Sequence, residues 1–93
     1  MSGLSTMAFV YILKSVRDSR YYIGSTTNLR ERVKHHQGGF TPSTKRFGEI
    51  VLVFSQEYET LEEARRIERK LKNMKRRDYL EKIIENKKIT LRP

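Results

Sequence analysis

The chain has 93 residues, of which 33% are charged and 37% hydrophobic, and its 20 Lys and Arg against 11 Asp and Glu give a net charge of +9. That length favours one domain with a single modest core, and apolar clusters at residues 9–13, 50–54 and 80–84 exclude wholesale disorder. The absence of cysteine removes disulfides, thiolate nucleophiles and thiolate zinc sites, and no apolar run approaches the roughly 20 residues that span a bilayer. An excess of positive charge this large points first to nucleic acid, with a membrane surface, an acidic protein or plain solubility as alternatives. Residues 1–7 are small and polar and lack the pattern of a secretory signal, so they read as a flexible lead-in to a cytoplasmic protein.

Residues 9–13 are wholly apolar and β-prone and predict a strand, followed by a polar loop over 14–20. Residues 21–24 predict a second strand, antiparallel to the first because the connection is short. Gly24 ends that strand at a turn. Ser25, Thr26, Thr27 and Asn28 are capping residues, and Asn28 with Glu31 resembles a capping box opening a helix over 29–37 that Gly38 and Gly39 stop. Residues 40–48 read as a loop. Residues 50–54, apolar throughout, predict a strand buried on both faces. Thr60 and Glu63 form a capping box for a helix reaching 72–74. A third helix over roughly 78–86 is expected, its start at 78 or a few residues earlier, with Asp78 and Glu81 able to form another box, and 87–93 is an extended or frayed tail. The domain spans 8–86. The expected fold is α+β: a small three-stranded, mainly antiparallel sheet flanked by three helices in the order β-β-α-β-α-α.

Helical spacing places several polar residues beside apolar faces. In the first helix Leu29 and Val33 face inward, and Arg32 and His36 fall beside them, one turn apart. In the second, Leu61, Ala64, Ile67, Leu71 and Met74 form the apolar stripe, and Glu68 falls inside its arc. A carboxylate there is costly unless paired or bound to a metal, and Glu68 is the only acidic residue among eight Lys and Arg between Arg65 and Arg77. Each of these residues also has an ordinary reading. Glu68 pairs with Arg65 or Lys72 at helical spacing; His36 is a boundary histidine or a helix C-terminal cation; Arg32 lays its stem on the core; Tyr11 and Tyr22 are amphipathic strand tyrosines. Arg30 and His35 point elsewhere and read as surface or phosphate contacts, and Lys45 and Arg46 as loop cations.

As a set, these residues resemble the GIY-YIG nuclease family. Phe9-Val10-Tyr11 stands at the first tripeptide, and Tyr22-Ile23-Gly24 matches the second, with ten residues between the two tyrosines. Residues 25–36 follow the family's run of small polar caps, Asn-Leu, Arg32 and a histidine four later. Ala64-Arg65-Arg66-Ile67-Glu68 resembles its metal-binding glutamate helix. The resemblance covers residues 9–84 and is nearest to the short stand-alone bacterial members. Phe9 departs from the first glycine of the pattern, and the late active-site asparagine of some members has two candidates, Asn73 and Asn86.

The resemblance implies hydrolysis of DNA phosphodiester bonds at a site of Tyr11, Tyr22, Arg32, His36 and Glu68. Glu68 would hold one divalent cation, Mg²⁺ first and Mn²⁺ as the alternative. Arg32 would contact the scissile phosphate. Tyr11 or Tyr22 would act as base, with Tyr11 favoured and Tyr22 supporting, its pKa lowered by Arg32 and the metal, and His36 would relay the proton. Arg30, Lys45, Arg46, Arg65, Arg69 and Lys72 would grip phosphates without reading sequence. The expected partner is DNA, branched or damaged forms included and RNA kept open, with a protein partner supplying specificity and no membrane. The competing functions are a catalytically weak or inactive nucleic-acid-binding module on the same fold and a basic scaffold for an acidic protein.

Overall fold

The computed structural model describes residues 7–37, 48–74 and 76–90. Two strands, β1 (Ala8–Ser15) and β2 (Tyr21–Thr26), are followed by helix α1 (Leu29–Gln37), strand β3 (Ile50–Tyr58) and helices α2 (Leu61–Met74) and α3 (Arg77–Asn86). The expected α+β order is therefore observed. The sheet order is β2-β1-β3 and both pairings are antiparallel.

β1 is the central strand, and its alternating side chains build two cores. Ala8, Val10 and Ile12 pack with Ile23, Phe54, α2 (Ala64, Ile67, Leu71) and α3 (Leu80, Ile83). Tyr11, Leu13 and Ile50 face the other way, toward Leu29 and Val33 of α1. Each fully buried aliphatic side chain contributes about 1.5–3 kcal/mol, so most of the stability lies in the larger α2–α3 layer. Met74, assigned to the α2 stripe, is 38% exposed at the helix end.

Several local readings are corrected by pairing. β1 runs on to Ser15 because Lys14 and Ser15 pair with Val51 and Ile50, so the polar loop begins later than its composition suggests. Ser25 and Thr26 belong to β2, opposite Val10 and Phe9, rather than to the helix cap. Phe9 sits in regular strand backbone, so the glycine it replaces is not needed for a special conformation. β3 is an edge strand, with Val51 and Leu52 37% and 40% exposed. An unbroken apolar run suits a strand buried on both faces, but β1 already holds the centre of the sheet. A bulge opposite Ile12 and Leu13 further breaks its alternation.

Two caps form as the spacing predicts: the Glu31 N–H donates to Asn28 Oδ1 (3.3 Å) and the Glu63 N–H to Thr60 Oγ1 (3.1 Å). The Asp78–Glu81 box does not. α3 starts one residue earlier, at Arg77, with no side-chain cap, because Asp78 is drawn to Arg76 (2.8 Å) and Glu81 to Arg77 (3.4 Å). Beyond α3 residues 88–90 form no helix or strand, and Ile89 is buried in the main core. Gln56 of β3 fastens it from both sides, accepting from the Ile89 N–H (2.8 Å) and donating to its carbonyl (3.4 Å).

Candidate active site

The site begins with the pairing of Tyr11 and Gly24 across β1 and β2. Tyr11 is 1% exposed, and its phenol lies against the α-carbon of Gly24. A Cβ at Gly24 would stand 2.5 Å from Tyr11 Cζ and nearer still to the hydroxyl oxygen. Gly24 is therefore not a turn residue. It lies inside β2, where the missing side chain makes room for a buried tyrosine.

The Tyr11 hydroxyl and His36 Nε2 share a buried hydrogen bond of 2.8 Å. His36 is the one buried residue of α1 and is 1% exposed. Tyr22 completes the cluster, its ring centroid 4.8 Å from that of His36. Burial, and then the charges of Arg32 and His35, push the His36 pKa down, so the imidazole is neutral. Burial, followed by the neighbouring Tyr22, pushes the Tyr11 pKa well up. Arg32 is exposed and acts on Tyr11 in the expected direction, downward, but desolvation outweighs it. The expectation of a lowered tyrosine pKa therefore does not hold for the protein alone.

The acidic half of the site lies around the edge of the sheet. β2 is an edge strand whose alternation sends Tyr22 to the α1 side, while its neighbour Ile23 packs on the α2–α3 side. Ser25, two residues on, also meets α2, and its hydroxyl donates to Glu68 Oε1. Glu68 Oε2 pairs with Lys72 Nζ at 2.6 Å, and the same ammonium stands 5.8 Å from the Tyr22 ring centroid. The carboxylate on the apolar stripe is thus 19% exposed and doubly partnered. Lys72 and Tyr22 join it to the tyrosine–histidine cluster.

Arg65 and Arg69 line an open depression with Glu68, Lys72 and Asn73. Of the two asparagine candidates, only Asn73 borders Glu68; Asn86 lines a different depression with Tyr79 and Lys88. Arg30 is exposed on α1. Lys45 and Arg46, like Gly38 and Gly39, lie outside the described residues. Residue spacing missed two members of the site. Ser25 stands in a run of capping-type residues that hides its contact with Glu68, and Gly24 has the composition of a turn although it pairs inside β2. Of the two helical-spacing partners expected for Glu68, Lys72 makes the ion pair.

The neutral, buried imidazole has a consequence for folding. The unfolded chain takes up a proton near an imidazole's ordinary pKa of about 6.5, which folded His36 resists. Stability from this residue is thus complete above about pH 6.5 and is lost as pH falls toward the lowered folded pKa. Thermal melts between pH 5 and 7.5 should show Tm falling with acid, and falling less steeply in His36→Gln. Parallel profiles would contradict the assignment.

This α+β domain brings Tyr11, Tyr22 and His36 into one cluster and sets the Glu68–Lys72 pair at the sheet edge beside it. The model of the GIY-YIG catalytic domain matches residues 7–83, and the chain belongs to the GIY-YIG family. It is 36% identical over 80 residues to a UPF0213 protein of Streptococcus pneumoniae, covering 85% of this chain and 80% of that one. It is also 36% identical over 86 residues to a UPF0213 protein of Clostridium perfringens, with 91% and 82% covered. A UPF0213 protein of Staphylococcus haemolyticus is 35% identical over 78 residues, with 83% and 94% covered. No solved structure matches the chain. Among the described residues no helix is long and apolar enough to cross a membrane.

Proposed function

We propose that this chain is a metal-dependent endonuclease that hydrolyses DNA phosphodiester bonds through Tyr11, Tyr22, Arg32, His36 and Glu68. The buried 2.8 Å hydrogen bond between Tyr11 and neutral His36 carries the reading. A tyrosine whose pKa is raised is a poor base alone. In the tautomer with Nε2 unprotonated, however, Tyr11 passes its proton to His36 as the phenolic oxygen takes one from the attacking water. That concerted relay never forms a free tyrosinate in the buried pocket. Tyr22 holds the imidazole by ring contact. Arg32, at the solvent edge, presents its planar fork to the phosphate.

Among the described residues no group of three carboxylates or histidines surrounds Glu68. A single carboxylate bordering an open depression nonetheless fits Mg²⁺, which often takes one carboxylate, several waters and substrate phosphate oxygens. Glu68 would hold it, and when bound it would neutralise developing charge on the phosphate. Arg65, Arg69 and Lys72 beside it, with Arg30 on α1, bind flanking phosphates of DNA without reading bases. A partner protein would supply target choice.

Glu68→Ala is expected to lower Mg²⁺- or Mn²⁺-dependent nicking of supercoiled plasmid by on the order of 100-fold or more, with plasmid retention unchanged. The Lys72 ammonium on Glu68 Oε2 favours a second reading, a binding module whose carboxylate serves structure. Plasmid retention without nicking of duplex, branched or RNA substrates by folded wild type would establish it.

A further inference from the structure

The two oxygens of Glu68 are held in different ways. Oε1 accepts from Ser25, a short side chain on a strand whose backbone is paired opposite Val10. Oε2 pairs with Lys72 at 2.6 Å, and the lysine side chain is 49% exposed. Ser25 cannot retreat without moving the strand, whereas Lys72 can swing its four-carbon stem into solvent. Lys72 also lines both the depression with Arg65 and Arg69 and a second one bordered by Tyr21, Arg76 and Arg77.

We infer that Lys72 is the placeholder cation of the Glu68 site: its ammonium pairs with Oε2 and must leave that oxygen when a divalent cation binds there, while Ser25 keeps the carboxylate aimed. This rests on the proposed reading of Glu68 as the cation's carboxylate. Two cations cannot both sit at ion-pair distance from one oxygen without strong repulsion. The displaced ammonium, with three donors and no acceptor, is then free for a phosphate beside the site. Cation binding and phosphate binding are thereby coupled through one side chain.

The test is Mn²⁺ binding to the full chain without nucleic acid, followed by water-proton relaxation. A half-exposed ion pair is worth about two- to fivefold in an equilibrium, so Lys72→Met should bind Mn²⁺ at least that much more tightly than wild type. Lys70→Met removes the same charge from the same helix two residues from Glu68 and should leave the affinity near that of wild type. Glu68→Gln should abolish site-specific binding, and circular dichroism should show all variants folded. Glu68-dependent binding that Lys72→Met leaves unchanged or weakens, or that Lys70→Met tightens equally, overturns the placeholder alone. No Glu68-dependent binding in wild type or Lys72→Met overturns the placeholder, and the metal reading falls with it if Glu68→Gln also nicks plasmid with Mn²⁺ as fast as wild type.

Discussion

Tyr11→Phe is expected to lower metal-dependent nicking by about 10²–10⁴-fold, the usual contribution of a positioned acid–base group. The substitution keeps the ring that fills the space above Gly24 and removes only the hydroxyl that bonds His36. It therefore separates the relay from the packing. Folding should suffer as well, since His36 Nε2 loses a buried partner at a cost of about 1–3 kcal/mol. Plasmid retention should persist, because the exposed cations are untouched. If the two residues act as one unit, His36→Ala should do little further harm once Tyr11→Phe is in place. Nicking at half the wild-type rate or more in Tyr11→Phe would remove Tyr11 from the chemistry, and fully additive losses would break the relay.

Gly24→Ala carries the second large effect, from one added carbon. The new Cβ would stand 2.5 Å from Tyr11 Cζ, against a side chain that is 1% exposed and bonded to His36. Overpacking of this kind costs about 1–3 kcal/mol, and each kcal/mol lowers the Tm of a domain this size by about 4–8 °C. Nicking should fall on the order of 100-fold, because misplacing a reacting group by about 1 Å has that cost. Removing the hydroxyl leaves Cζ 2.5 Å from the new carbon, so adding Tyr11→Phe to Gly24→Ala should recover neither Tm nor activity. A single Gly24→Ala variant with wild-type Tm would show that the strand relaxes freely and that the glycine does not position the tyrosine.

The sequence by itself determined the element order, two of the helix caps, the inward faces of α1 and the first part of α2, and the set of residues carrying the family pattern. These are local properties: apolar periodicity, side-chain capping and motif spacing act within a few residues of one another. The anomaly of Glu68 was equally legible, because a lone carboxylate on an apolar stripe stands out on a helical wheel. Only the tertiary structure decided which strand took the centre of the sheet, and that choice left β3 partly exposed and drew Lys14, Ser15, Ser25 and Thr26 into strand pairing. It also decided what Gly24 is for, which hydroxyl holds Glu68, and that burial outweighs Arg32 at Tyr11. The partners in these effects are far apart in the chain: 25 residues separate Tyr11 from His36, and 43 separate Ser25 from Glu68. Burial and electrostatic coupling arise only when packing brings such groups together, so no window of neighbouring residues contains them.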